Sequence, residues 1–425
     1  MTDATTRRPP DEAAARRAVA AVWRIESAHV VATLMRMSGD FDLAEEMAQE
    51  ALVEALEQWP RQGVPRNGGA WLTTTAKRRL IDTWRRRERL DERYRALARD
   101  LEQQADAPGY DPDRIDDDVL RLVFVACHPV LSREARVALT LRVVGGLTTE
   151  EIARAFVVPV ATVQQRIVRA KKTLGAAHVP FAVPERDEFA ERLGSVLGVL
   201  YLIFNEGHTA SSGEELLRPE LGREALRLAR MVAELVPAEP EAHGLVALME
   251  FTAARFPARV TADGTPVLLA DQDRSRWDHG AIARGRAALA RADATGRGRG
   301  AYGLQAAIAE CHDVAASVDE TDWARIVLLY EALGRIAPSP IVELNRAVAV
   351  SMAEGPATAL RMVDDLAASG ALRTTHLLPS VRGELLARLG RGDEARAEFL
   401  DAAARCGNDR ERAVLERKAA DAVSA

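Results

Sequence analysis

The chain has 425 residues, 48% of them hydrophobic and 28% charged, with a formal net charge of −6. That length favours two or three domains, and no window of about 18 apolar residues predicts a membrane-crossing helix. Three scattered cysteines, Cys127, Cys311 and Cys406, show no C-x-x-C spacing. They argue against a disulfide framework or a structural zinc site, so a reducing cytoplasm is expected, with no metal and no cofactor.

Alanine, leucine, arginine and glutamate dominate, and apolar positions recur at intervals of three and four. Prolines and glycines fall between such runs, so the predicted fold is all-α. The N-terminus, MTDATTRRPPDEAAARR, has arginines but no apolar core after them, and no signal peptide is expected. Only four of the 57 basic residues are lysine (Lys77, Lys171, Lys172 and Lys418), so arginine is a bulk component and only clusters of it carry information.

The first predicted part runs over 11–90. Within it DFDLAEEMAQEALVEALEQ, Asp40 to Gln58, holds seven acidic residues and no basic one. Ala48, Ala51, Leu52, Ala55 and Leu56 form an inward stripe, Glu46, Gln49, Glu50 and Glu54 face out, and Asp42 and Glu45 are placed to cap the start. AWLTTTAKRRLIDTWRRRER, Ala70 to Arg89, follows, with seven basic residues from Lys77 onward interleaved with Trp71 and Trp84. Rings among cations suit single-stranded nucleic acid, where bases stack and the backbone is held by charge. The alternative is that the tryptophans are core and the arginines solvated.

A polar stretch over 91–117, broken by Pro108-Gly109 and Asp111-Pro112, predicts a linker. A second part spans 118–177. Cys127-His128 are adjacent, not spaced for joint ligation, and are expected to be a buried or inert pair. In LTTEEIARAFVVPVATVQQRIVRAKKTL, Thr148 and Glu151 form a capping box, and Ile152, Ala153 and Phe156 line the buried side of a short helix. Pro159 ends it. A second helix then carries Val160, Val163, Ile167, Ala170 and Leu174 on one face and Gln165, Arg169 and Lys172 on the other, flanked by Ala161, Thr162 and Arg166. Helix, turn and basic helix together predict a helix-turn-helix entering a major groove. Glutamine suits adenine, arginine suits guanine, and Lys171 and Lys172 suit phosphates. Val157 stands where many such turns have glycine, so a differently shaped turn is expected.

The third part, 185–425, contains RGELLARLGRGDEARAEFLDAAARC, Arg382 to Cys406, with small residues at Gly383, Ala395 and Ala402 around Phe399. Ala347 and Ala359 mark a copy one repeat upstream, and EALRLARMVAELVPAEPEA from Glu224 a weaker third. These resemble tetratricopeptide repeats, helix pairs that stack into a solenoid and bind a protein or peptide; degenerate repeats also serve as packing alone. LYLIFNEGHTASSGEE and LLADQDRSRWDHG resist the pattern. Glu206 with His208 is read as a loop cap and not an acid/base pair, since no nucleophile or metal cluster accompanies it.

The stretch from Val22 to Ala177 resembles sigma factors of the extracytoplasmic-function class in the sigma-70 family. The acidic motif matches at Asp42, Ala44, Glu45, Glu46, Gln49 and Glu50. The A-W-L…D-x-x-R-R segment matches at Ala70, Trp71, Leu72, Ala76, Asp82, Arg85 and Arg86. The region 4 signature matches at Thr148, Glu151, Ile152, Ala153, Val158, Pro159, Thr162, Val163, Arg166, Arg169, Ala170 and Lys171. The resemblance implies a non-enzymatic initiation factor. Asp42, Glu45, Glu46, Gln49 and Glu50 would dock on core RNA polymerase. Trp59, Asn67, Trp71, Lys77, Arg78, Trp84, Arg85 and Arg86 would hold an unstacked −10 base and its strand. Thr162, Gln165, Arg166, Arg169, Lys171 and Lys172 would read duplex −35 DNA. The tail resembles the subgroup whose tetratricopeptide-like extension governs activity. Two rival readings are a duplex-binding regulator with a repeat-built sensor, and an adaptor whose solenoid is the working part.

Overall fold

The structure, a computed structural model, describes residues 12–87, 112–156, 158–208, 219–259, 261, 267, 269–370, 372–407 and 409–422. Every regular element among them is helical. The chain divides into two compact units, Met1–Val199 and Leu200–Ala425.

In the first unit, α1 (Glu12–Ser38), α2 (Phe41–Gln62) and α3 (Gly68–Arg87) pack on one another as a three-helix bundle. By length and composition α1 could cross a membrane. Its apolar residues instead fill the bundle core: Val19, Trp23, Val30, Val31 and Leu34 are all buried. The expectation that no helix passes that test is therefore corrected, while the burial explains the apolar run. Asp40 caps α2 by accepting the Leu43 amide at 3.1 Å. This corrects the expected caps, because Asp42 and Glu45 already lie within the first turns.

Four helices follow: α4 (Pro112–Ala126), α5 (Arg133–Val143), α6 (Thr149–Phe156) and α7 (Val160–Ala176). α4 starts at Pro112, so the end of the predicted linker is helix; positions 91–111 lie outside the described residues. The capping box forms as read, with Glu151 accepting the Thr148 amide at 2.8 Å and Thr148 Oγ1 accepting the Glu151 amide at 3.1 Å. Val163, Ile167, Ala170 and Leu174 are buried, as their spacing predicts, and fix α7 on α5 and α6, whereas Val160, the first member of the predicted stripe, is exposed. Val157 and its turn lie outside the described residues. Cys127 is buried beside Thr140, and burial pushes its thiol up to about 11, which leaves it inert at neutral pH.

The division between the units falls within α8 (Arg186–His208). The second unit continues with α9 (Pro219–Leu235), α10 (Pro240–Ala254), α11 (His279–Ala294), α12 (Ala301–Val314), α13 (Trp323–Ile336), α14 (Pro340–Ala353), α15 (Pro356–Ala368), α16 (Leu377–Arg388), α17 (Gly392–Arg405) and α18 (Asp409–Asp421). From α12 to α18 each helix packs on the next. The repeat positions explain why. Ala347, Ala359, Ala395 and Ala402 are buried with Phe399 in one cluster. A Cβ on Gly383 would meet the Phe399 ring at 2.9 Å, so only glycine lets α16 approach α17 this closely.

Of the two segments that break the pattern, 209–215 and 268 lie outside the described residues. Glu206 lies in the last turn of α8, not in a loop; the His208 side chain is outside the described residues. Trp277 is buried beneath the Arg274 guanidinium, 4.6 Å from its ring centroid, and Arg274 donates to the carbonyls of His312 and Ala315. Asp278 caps α11. Nearby Asp313 is buried, and burial pushes its carboxyl up to about 7 despite Arg255 and Arg274.

Candidate nucleic-acid and polymerase interface

The predicted surfaces lie on three helices of the first unit. On α7, Gln165, Arg169 and Lys172 are exposed, and Thr162 and Arg166 are half-buried beside them. The four buried residues on the opposite side turn this polar row outward. On α3, Arg78 and Arg85 are exposed and Lys77 is half-buried. The side chain of Arg86 is outside the described residues. On α2, Asp42, Glu46 and Glu50 are exposed and Gln49 half-buried.

Several predicted residues take other roles. Trp59 and Trp84 are 1% and 3% exposed, so neither ring is open to a base. Both are core, set there by the packing of α1, α2 and α3; for Trp84 this is the outcome of the alternative reading, and for Trp59 it is a correction. Trp71 is half-buried and meets Trp59 edge-on at 5.6 Å, which leaves it the accessible ring of the three. Asn67 is exposed, and its Oδ1 accepts the Ala70 amide at 2.9 Å, so it caps α3. Arg79, which the sequence reading did not single out, binds Glu54 at 2.8 Å and lies 3.7 Å from Glu50.

Glu45 departs furthest from expectation. It is buried, accepts from Arg142 Nε at 2.7 Å and pairs with Lys171. As placed it offers nothing to an outside partner. Lys171 also reaches Asp42 at 3.0 Å and lies over the Phe41 ring. Burial pushes the Glu45 carboxyl up, but Lys171 and Arg142 outweigh it and hold the group below its ordinary value. Lys171 is the mirror case: burial opposes its charge, and Glu45 and Asp42 raise it above the usual lysine value.

Four further contacts extend this clasp. Arg36 binds the buried Asp118 at 2.7 Å, and Asp118 also takes Arg121 at 2.7 Å. Arg24 reaches Glu151 at 3.1 Å. Gly146, at φ +70°, packs so closely on Ser27 that a Cβ would strike its hydroxyl. The acidic helix α2 and the basic helix α7 are therefore joined directly and through Arg142 of α5, while α1 holds α4, α6 and the turn at Gly146. The sequence reading did not anticipate this pairing: it assigned the two runs to different outside partners, and complementary runs at Asp40–Gln58 and Arg166–Lys172 do not set a register.

These helices coincide with known families. A family described as Sigma-70 region 2 matches residues 24–90, and one described as Sigma-70, region 4 matches residues 121–174. Residues 24–174 therefore carry sigma-70 regions 2 and 4 in order, which places this part of the chain in the sigma-70 family. A family of unknown function, DUF6596, matches residues 192–293. An uncharacterized protein of Rhizobium meliloti (strain 1021) is 44% identical over 401 residues, covering 90% of either chain. A probable ECF RNA polymerase sigma factor, SigI of Mycobacterium tuberculosis, is 29% identical over 167 residues, 39% of this chain and 57% of that protein. No solved structure matches. As a sigma factor the chain is a non-enzymatic transcription initiation factor that acts by binding.

Proposed function

We propose that this sigma factor binds core RNA polymerase through the exposed acids of α2, reads duplex −35 DNA with α7, and holds the melted −10 strand with α3, in the cytoplasm. The observation that carries the reading is the order of three charged surfaces, acidic α2, basic α3 and basic α7, inside the two matched regions. We assign 11–90 to region 2, 91–117 to the linker, 118–177 to region 4 and 185–425 to a tetratricopeptide-like extension that modulates activity and takes a protein or peptide partner.

The physics of opening favours this division of labour. Unpairing costs a few kcal/mol per base, and stacking on an aromatic ring returns about 1–3 kcal/mol per base. A base inside a duplex cannot reach a ring beside phosphate-binding arginines, so that energy appears only once strands part. Trp71, with Arg78 and Arg85 on the same helix, fills this role, and polymerase contacts supply the remainder.

The clasp adds a condition. Lys171 pairs with Asp42 and Glu45, so the DNA-reading and polymerase-docking helices occupy each other. Promoter engagement requires them to separate, and polymerase binding to α2 is the event that releases α7.

Run-off transcription with core polymerase tests the whole reading. Accurate starts on a cognate promoter are expected with the full chain, and a changed yield is expected after truncation beyond Ala177. Absence of any directed start would overturn it. For α7, Arg166→Ala or Arg169→Ala is expected to weaken binding to −35 duplex by about 1–3 kcal/mol if the side chain reads a base. A gel shift at fixed moderate salt measures this, and unchanged affinity removes the residue from the reading surface.

A further inference from the structure

We propose that His376, Cys406 and Glu411 form a binding site for a divalent transition metal, Zn2+ by preference, at the end of the second unit. The inference is independent of the promoter-binding reading.

The three residues come from three separate places. His376 immediately precedes α16, Cys406 follows α17, and Glu411 sits in the first turn of α18. Their donor atoms all lie within 4.8 Å of one another. His376 Nε2 is 3.7 Å from Glu411 Oε2, and Cys406 Sγ is 3.7 Å from the same oxygen. A tetrahedral zinc ion with bonds of about 2.0–2.3 Å sets its ligands roughly 3.3–3.8 Å apart. Two edges of the triangle already meet that spacing, and the third closes with a side-chain adjustment of at most about 1 Å. Imidazole, thiolate and carboxylate together suit zinc and its neighbours and not magnesium or calcium, which take oxygen alone.

The surroundings hold the donors in place. Arg412 donates to the Cys406 carbonyl at 2.7 Å and to Asp409 at 2.7 Å, tying Cys406 to the first turn of α18. Ser380 donates its hydroxyl to the His376 carbonyl at 2.7 Å. Cys406 is buried and the other two are half-buried, so the site is shielded yet reachable. Binding converts the Cys406 thiol to a metal-bound thiolate and releases its proton to solvent, so affinity rises with pH. Three protein donors leave a fourth position for water or an exchangeable ligand. Occupancy would fasten the start of α18 to the segment before α16.

The test uses the full chain, kept reduced, stripped with EDTA and titrated with Zn2+ and, separately, Co2+. One equivalent is expected to bind, with a thiolate-to-cobalt charge-transfer band for Co2+ and a raised melting temperature. Cys406→Ser should abolish the band, and Glu411→Gln, almost the same shape, should lower affinity at least about tenfold. Failure to bind either ion, or an unchanged band and affinity in both variants, overturns the site. Should Cys406→Ser not fold, alkylation of Cys406 in the native chain decides. Zn2+ is expected to protect the thiol, and equal labelling with and without metal overturns the proposal.

Discussion

Glu46→Lys together with Glu50→Lys is expected to abolish co-purification with core RNA polymerase while sparing DNA binding by the isolated part 118–177. Both carboxylates are exposed on α2, on the side that the bundle core does not use. Reversing both changes the local charge by four units and places ammonium groups against a surface proposed to select for acids; like charges at close range cost several kcal/mol. The expected loss is therefore at least about a hundredfold in affinity, which is about 2.7 kcal/mol. The Glu50 change also sets a lysine near Arg79, 3.7 Å from the present carboxylate. Circular dichroism on the variant separates lost docking from lost folding. A folded variant that still captures core enzyme would remove α2 from the docking surface.

The second large effect concerns the clasp. Glu45→Ala would leave Arg142 and Lys171 mostly buried without their shared carboxylate. Removing one partner of a buried pair costs about 3–5 kcal/mol; since these side chains keep 11–17% of their exposure, about 2–4 kcal/mol is expected here. A lower urea midpoint measures it, and a double-mutant cycle with Lys171→Met isolates the pair. The pH dependence has a definite sign. The Glu45 carboxyl is held below its ordinary value of 4.5 in the folded state. Its contribution is therefore complete above 4.5 and lost as pH falls through the folded value. Lys171→Met should flatten that acid limb. The milder Glu45→Gln should loosen the clasp and strengthen binding of the full chain to −35 duplex at fixed salt. Unchanged DNA affinity with a loosened clasp would show that the pairing does not restrain α7.

Much of the all-α architecture was legible because helices advertise themselves locally. The capping box at Thr148 and Glu151 and the stripe Val163, Ile167, Ala170 and Leu174 depend only on neighbours within a turn or two, and both appear, with Val160 alone of the expected stripe left exposed. The buried small residues Ala347, Ala359, Ala395 and Ala402 follow from repetition, again a local signal. The charged faces of α2 and α7 were likewise visible as runs of one sign.

Side-chain burial at the candidate site was not legible in the same way. Trp59 and Trp84 stand among polar residues, and periodicity does not say whether a ring faces a core or a base; only the packing of α1, α2 and α3 decides. Glu45 and Lys171 lie far apart in the chain, and each belongs to a run whose other members face solvent. Which member turns inward depends on the register between helices, and that is set by contacts such as Gly146 against Ser27. The grouping of His376, Cys406 and Glu411 escaped a spacing test for the same reason, since ligands from separate helices share no sequence interval. By itself the sequence determined the helices, their polar and apolar faces and the family they match, because those follow from short-range stereochemistry and charge. Tertiary structure alone decided which charges are buried against each other, because the cost of desolvating an ion is fixed by everything that surrounds it.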